Sequence, residues 1–532
     1  MMKKLNGMEA NSVLLPNSLG TQRGDLDMID PEVENNLYLQ ARKSSLYTIA
    51  GKLVTPIVTF LTTIYIVRTL SVADYGIYNV LLAVMGYIGI LSAFGLPSIF
   101  QRYVPEFQER RKIANLKRLV TRGSFLMIAS SALFVLVLVL FSSQVGRLLR
   151  IDNWLHYFGL FSLGIIFSLE GKLLSITLTS LFLHKYFVIS NVVYVFSRAS
   201  VLYLLLKAGW ALEGLLLGEV AAYAILMMMF AYCYYSKFSR LNKTNSKPPF
   251  PTKRLFRYGG FSYLNEMGVR ILDVSTDFLV ISMFLGPLAV GMYSFANRVS
   301  ELFSKILPHL LLQNVMRPAF FRKFTQTNSP KDLQKMVNLL VKITAFCSIP
   351  LTFAIFVLGD KIILHVFDPK YISGLTVLWI VATFLTIRAF QFPLGLVLQA
   401  IEKVNIIFYS KIFSVYNLVL DLVVVRFWGI TGIALVTGSA ILFQNLFMYF
   451  FVYRYIKLRL CVWALAVIVL NSVIMSLSVF WLRRYVVGFA SLMVVSMLGL
   501  LIYLTMAFLN KAFTQDERRI VNSIIGKPAF VF

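Results

Sequence analysis

Four ionisable side chains, Glu266, Arg270, Asp273 and Asp277, follow one another at spacings of four, three and four residues in an otherwise apolar segment. These spacings place all four on one face of a helix. Because a charge is costly within membrane hydrocarbon, such a face needs a water-filled cavity or a partner helix. We predict that Arg270 binds phosphate in a polar cavity and that Asp273 or Asp277 takes a coupling proton or Na⁺. A ladder of ion pairs that only fixes packing is the alternative.

Further cations could share this cavity. Arg298 and Glu301 lie on one face of the next apolar segment, Lys52 begins a polar stripe in the first one, and Arg388 precedes a proline in a later one. Arginine suits phosphate because its planar fork donates two parallel hydrogen bonds. The predicted substrate-binding cations are Lys52, Arg270, Arg298 and Arg388, and the acids predicted to pair with them or to bind a coupling ion are Glu266, Asp273, Asp277 and Glu301.

Other charged residues in the apolar segments stand alone. For each of them we expect a pair between helices or a side chain that snorkels to the membrane surface. They are Glu170, Arg198, Glu219, Lys411 and Asp421. Arg68 lies near the end of a segment, where snorkelling is the expectation.

The composition predicts an all-α polytopic membrane protein. Hydrophobic residues make up 58% of the 532 residues and the mean hydropathy is +0.75, whereas soluble domains are about 45–50% apolar. About fourteen apolar segments have the roughly 20 residues that a helix needs to cross a bilayer. The alternating strands of about ten residues that build membrane barrels are not seen. We expect about fourteen transmembrane helices, as two pseudo-symmetric six-helix lobes and a C-terminal helix pair.

A repeated motif supports the two lobes. Leu70–Tyr78 and Leu285–Tyr293 share Leu, Gly and Tyr at a constant offset of 215 residues. In each we predict a tight turn where glycine supplies backbone freedom and tyrosine lies near the membrane interface. Transporters often consist of two such halves that work by alternating access. The predicted domains are a mostly disordered cytoplasmic tail (1–44), an N-lobe (45–236), a basic cytoplasmic linker (237–257), a C-lobe (258–455) and a final helix pair with a cytoplasmic tail (456–532).

The net charge is +27, and the positive residues gather in alternate loops. Lysine and arginine gather in segments 105–122, 237–257 and 317–335, whereas the turns at 70–76 and 286–287 are nearly free of them. This asymmetry predicts that both termini are cytoplasmic. It argues against nucleic-acid binding and leaves room for a secondary contact with anionic membrane lipids.

The sequence contains no motif typical of disulfide, metal or nucleotide chemistry. The three cysteines and four histidines are scattered, so we predict no disulfide framework and no metal site. No P-loop occurs, and we predict neither a cofactor nor enzymatic activity. A membrane-embedded glycan polymerase or ligase would need a sizeable extracytoplasmic region, and the largest such segment, 359–373, is about fifteen residues long.

The stretch Tyr65–Tyr78, with Gly95-Leu96-Pro97 and Arg102–Glu106, resembles the Wzx-type polysaccharide flippases of the multidrug/oligosaccharidyl-lipid/polysaccharide (MOP) superfamily. The resemblance covers residues 45 to about 510. It implies two lobes around a cation-lined cavity and transport of undecaprenyl-diphosphate-linked sugars across a bacterial cytoplasmic membrane. Association with a glycan polymerase or glycosyltransferases would fit the family.

Two other functions stay open. One is a lipid II flippase, and the other is a small-molecule or drug antiporter of the same superfamily. An antiporter for organic cations would favour an acidic and aromatic cavity, whereas the predicted cavity contains several cations and therefore favours an anionic substrate. The coupling ion, H⁺ or Na⁺, is left undecided.

Overall fold

The computed structural model describes residues 54–110, 112–238, 249–271, 274–306, 330–525 and 530–532. The predicted tail, 1–44, lies outside these residues. The helices are α1 (Val54–Thr69), α2 (Val72–Ala93), α3 (Leu96–Glu109), α4 (Ile113–Leu140), α5 (Ser142–Leu149), α6 (Trp154–Ser180), α7 (His184–Lys207), α8 (Leu212–Phe238), α9 (Thr252–Ile271), α10 (Val274–Leu285), α11 (Pro287–Ile306), α12 (Pro330–Val366), α13 (Leu375–Ala389), α14 (Gln391–Ala400), α15 (Val404–Tyr409), α16 (Ile412–Ile456), α17 (Val462–Leu482), α18 (Phe489–Asn510) and α19 (Gln515–Ile525).

Ten helical segments among the described residues are long and apolar enough to cross a membrane, so the chain is a multi-pass membrane protein. Two shorter apolar helices, α1 and α10, accompany them. One of the ten segments, Val404–Ile456, is 53 residues long, and its backbone leaves helical geometry at Gly429 (φ 56°, ψ −143°). The all-α prediction is confirmed, and no strand occurs in the described ranges. The expected number of fourteen transmembrane helices is not confirmed.

The helices of residues 51–532 pack into one compact unit. Helix α8 packs against α6 and α7, whereas later in the chain α12 packs against α13 and α17, and α13 against α16. Helix α2 joins the early helices to the later ones because it packs against α10 and α11. The predicted division into two lobes stays a prediction, since most of the linker (239–248) lies outside the described residues.

The two copies of the repeated motif meet at a close contact between α2 and α11. Gly76 and Gly291 lie inside these helices and not in turns, so the predicted role of backbone freedom is wrong for them. A Cβ atom on Gly76 would lie 1.8 Å from the carbonyl oxygen of Pro287, and one on Gly291 would lie 2.0 Å from that of Val72. Each glycine therefore lets the backbone of the other helix approach. We call this contact the glycine seam.

A set of hydrogen bonds closes the same end of the bundle, which we call the Gly286 end because the turns at 70–71 and 286 lie there. Arg68, near the end of α1, donates to the carbonyl oxygens of His365 (2.9 Å), Val366 (3.1 Å) and Phe367 (2.8 Å) at the end of α12. Lys370 in turn donates to the carbonyl oxygen of Arg68 at 3.0 Å. Each helix end thus has unpaired carbonyls satisfied by a cation from the other. These hydrogen bonds give Arg68 a structural role, and the snorkelling expected of its side chain stays a prediction.

We expect Gly76→Ala and Gly291→Ala each to destabilise the protein by about 1–3 kcal/mol, because the new methyl group has no room at the seam. Thermal unfolding of the purified protein in detergent would measure this as a lower apparent Tm. Gly159→Ala in α6 is the matched control, since a Cβ atom there meets nothing within 4 Å. Seam variants that melt at the temperature of this control would contradict the close packing.

Candidate functional site

A cavity of about 160 Å³ lies between α2 on one side and α10 and α11 on the other. We call it the α2–α11 cavity. Polar groups on its wall include Asn79 of α2 and Asn297, Arg298 and Glu301 of α11. Arg298 lies beside Tyr75 of α2 and 3.6 Å (Nη1 to Oε2) from Glu301. The cavity can therefore present a guanidinium group to an anion, with a carboxylate alongside.

The other residues of the predicted constellation are distributed as follows. Lys52 and Asp273 lie outside the described residues, and Arg270 lies in α9 with its side chain undescribed. Glu266 accepts a hydrogen bond from Ser98 Oγ of α3 at 2.7 Å, so it faces α3. The convergence of Lys52, Arg270 and Arg298 therefore stays a prediction.

Asp277 is 1% exposed and lies at the interface of α10, α11 and α16. Its Oδ2 accepts hydrogen bonds from Tyr293 Oη of α11 (2.7 Å) and Thr437 Oγ1 of α16 (3.1 Å). Asp421, which is fully buried on α16, is close enough to interact electrostatically with it. The structure thus brings two carboxylates together.

Asp421 also has an amide neighbour that the sequence analysis did not single out. Asn417 Nδ2 donates to Asp421 Oδ2 at 3.0 Å, one helical turn away. Among the described residues, the amide oxygen Oδ1 of Asn417 and the second carboxylate oxygen Oδ1 of Asp421 are buried without a hydrogen-bond partner. Buried oxygens in this state fit a proton or a hard cation such as Na⁺, which compensates their charge. In the described part of the chain no group of three or more His, Cys, Asp and Glu side chains could hold a metal ion.

A second buried carboxylate site lies among α2, α7 and α8. Glu219 of α8 accepts hydrogen bonds from Arg198 Nε of α7 at 2.9 and 3.0 Å (Oε1 and Oε2), and Arg198 Nη2 also contacts Oε1. Tyr78 Oη of α2 donates to the same Oε1 at 2.7 Å. The expected pair between helices is confirmed for Arg198 and Glu219.

The tyrosines of the two sites are equivalent in the repeat. Tyr78 and Tyr293 end the two copies of the motif, and each donates a 2.7 Å hydrogen bond to a buried carboxylate. They are 6% and 1% exposed. The predicted position near the membrane interface does not account for these hydrogen bonds to buried carboxylates. The sequence signal for these two tyrosines is the motif itself, in which tyrosine follows glycine by two residues.

A separate pocket of about 80 Å³ contains Arg388 and Lys411, together with Gln391, Asn417, Thr437 and Gln444. We call it the Arg388 pocket. Val274 lines both this pocket and the α2–α11 cavity. Arg388 is thus not on the wall that carries Arg298. It lies near the break between α13 and α14, where the sequence places Pro393.

An apolar pocket of about 260 Å³ lies where α12, α17 and α18 meet. Its wall includes Phe303, Pro350, Leu351, Met475 and Tyr503. The pocket offers hydrocarbon-like surface but few polar atoms, so it suits an alkyl or prenyl chain.

The fold is that of the superfamily transporters. A structure described as lipid II flippase MurJ in an inward closed conformation is 16% identical, with a TM-score of 0.66 over 88% of this chain and 98% of that one. A MATE multidrug transporter of the MOP superfamily in an inward-facing conformation is 13% identical, with a TM-score of 0.60 over 78% and 94% of the two chains.

The model of the polysaccharide biosynthesis protein family matches residues 41–324. The chain therefore belongs to this family. A curated relative from Haloferax volcanii, "Probable low-salt glycan biosynthesis flippase Agl15", is 22% identical over 71% of this chain and 76% of its own length.

Proposed function

We propose that this protein carries a polyprenyl-diphosphate-linked oligosaccharide, the repeat unit of a polysaccharide, across the bacterial cytoplasmic membrane. The observation that supports this most directly is Arg298 in the α2–α11 cavity, between the two helices that contain most of the repeated motif. A guanidinium group in a cavity of a membrane protein is matched to phosphate oxygens. The glycan flippase from Haloferax volcanii adds support for the substrate class.

The diphosphate is assigned to Arg298 in this proposal. Arg270 of α9 and Lys52, in the segment before α1, are proposed to join it. Glu301, at 3.6 Å from Arg298, keeps the guanidinium compensated until the substrate arrives. The volume of about 160 Å³ can hold a diphosphate but not an oligosaccharide, so we infer that α2 and α11 separate further to admit the glycan.

The lipid chain is assigned to the apolar pocket. This pocket is lined by residues of α12, α17 and α18, which belong to the later half of the chain and to the final helix pair. A prenyl chain that stays in an apolar environment loses none of its transfer free energy while the polar head crosses. Only the diphosphate and the sugars then need the polar interior.

Alternating access is proposed to depend on the Gly286 end. By the distribution of positive charge we assign this end to the extracytoplasmic side and both termini to the cytoplasm. The glycine seam and the hydrogen bonds of Arg68 and Lys370 close it. The cavity would then load from the cytoplasm, and release would require these contacts to part.

Ion coupling is assigned to the pair of Asp277 and Asp421. The two carboxylates, Asn417 Oδ1 and Thr437 Oγ1 provide an oxygen-only set of ligands, which suits Na⁺ and can also hold a proton. Asp277 accepts a hydrogen bond from Tyr293 of α11, the helix that also carries Arg298. An ion bound at this site can therefore influence α11. Asp273, outside the described residues, remains a further candidate.

Depletion of the protein from its source cells should cause polyprenyl-diphosphate oligosaccharide to accumulate. Mass spectrometry of extracted lipids would measure this and would identify the sugar. Accumulation of lipid II would replace our proposal with the lipid II flippase, and unchanged pools of both lipids would favour a small-molecule exporter.

Arg298→Ala should lower glycan export at least about tenfold, since a hydrogen bond to a charged group contributes about 1.5–3 kcal/mol. Arg298→Lys should fall between this variant and the natural protein, because it keeps the charge without the fork. Export is measured at matched protein abundance. Arg484→Ala is the control, since Arg484 lies over Trp481 and Tyr485. Full export by Arg298→Ala would remove Arg298 from the substrate site.

Asp277→Asn and Asp421→Asn should each abolish the response of transport to an imposed ion gradient, because the amide cannot supply the charge that binds the ion. Proteoliposomes with a Na⁺ gradient and, separately, a pH gradient would show which ion acts on the natural protein. Glu213→Gln is the control, since this acid is half-exposed beside His156. Transport by the natural protein that ignores both gradients would refute coupling at this pair.

A further inference from the structure

Two cations face each other in the Arg388 pocket. Arg388 lies near the end of α13, and Lys411 immediately precedes α16. They are close enough to repel one another electrostatically. Both lie within segments that are apolar enough to cross a membrane, where water is scarce.

Neither cation has a counterion in the part of the chain that the structure describes. Among the described residues, the side chains of Arg388 and Lys411 form no ion pair with a carboxylate and no hydrogen bond. Asp277 and Asp421 lie beyond the pocket wall, where Asp277 accepts a hydrogen bond from Thr437 and Asp421 accepts one from Asn417. Arg388 is exposed and Lys411 is partly buried, so both side chains are accessible from the pocket. A cleft lined by charges of one sign concentrates ions of the opposite sign, so the pocket suits an anion that arrives from outside the chain.

The rest of the wall suits a sugar. Gln391 Nε2 donates to Gln444 Oε1 at 2.7 Å, and Gln444 Nε2 donates to Ser410 Oγ at 3.2 Å. This chain of amides leaves further donors and acceptors for hydroxyl groups. Phe413 adds an aromatic ring, on which the apolar face of a sugar ring can pack. A diphosphate would use the two cations but has no need of the amides or of the ring.

The size of the pocket limits what enters it. A volume of about 80 Å³ exceeds the roughly 10–15 Å³ that one water molecule requires, so the pocket has room for a small polar group such as a carboxylate. The sugar ring that bears the carboxylate can then lie beside Gln391, Gln444 and Phe413.

We propose that the Arg388 pocket is a subsite for an acidic sugar of the transported glycan, and that it binds the carboxylate of a hexuronic acid residue. This inference rests on the proposed function, because it needs a lipid-linked glycan in the neighbouring cavity. It goes further in assigning the two anions of the substrate to different places. The diphosphate binds at Arg298, and the sugar carboxylate binds at Arg388 and Lys411.

The test uses two synthetic substrates that differ in one group. Both are farnesyl diphosphate disaccharides, one ending in glucose and the other in glucuronate. Each is offered to proteoliposomes of the full chain, and transport is followed with an impermeant reagent that modifies only outward-facing sugar. The readout is the ratio of the acidic to the neutral transport rate.

The double variant Arg388→Gln/Lys411→Gln should lower this ratio by about tenfold or more, since it removes charge-assisted hydrogen bonds made only by the carboxylate. Arg298→Gln should lower both rates and leave the ratio unchanged. Arg388→Lys should recover part of the ratio, and its melting temperature shows whether it is folded.

Three results would overturn the proposal. If the double variant lowers both rates equally, the pocket binds the diphosphate; if it changes neither rate, the two cations do not contact substrate. In both cases the proposed function stands. If the natural protein moves neither substrate, the proposed function fails as well.

Discussion

Buried carboxylates are the constraint on which the rest of the structure depends. Glu219 and Asp277 are 0% and 1% exposed, and a carboxylate in such a place needs hydrogen-bond donors and a countercharge. In both cases a tyrosine from the repeated motif provides one donor. Tyr78 thereby ties α2 to α8, and Tyr293 ties α11 to α10. The repeat thus fixes the two helices that form the walls of the α2–α11 cavity.

Helices α2 and α11 also form the glycine seam. The same two helices therefore line the cavity and close its Gly286 end. The backbones of α2 and α11 approach closely at Gly76 and Gly291, and the cavity lies between the same two helices at Asn79 and Arg298. A contact between backbones has no side chain that could adapt. It is therefore either closed or parted, which is the behaviour that a gate requires.

The all-α fold, the membrane class and the register of the repeat could be predicted from the sequence, because apolar length and a constant offset are local properties. The pair of Arg198 and Glu219 followed from the cost of isolated charges in hydrocarbon. The partnership of Asp277 with Asp421 could not be found, because it joins helices 144 residues apart and no periodicity links them. The role of Gly76 was missed for a similar reason, since only the neighbouring helix reveals that a Cβ atom has no room.

The two buried sites differ in the source of their countercharge. Glu219 has Arg198, which belongs to the chain and stays at all times. Asp421 has no such ion pair among the described residues, and its Oδ1 has no partner. Under the proposed coupling, one copy of the repeat is electrically complete and the other takes its countercharge from solution. A single basic substitution beside Asn417 would make the second copy complete as well. Under the same proposal, such a chain would keep its architecture and would no longer respond to an ion gradient.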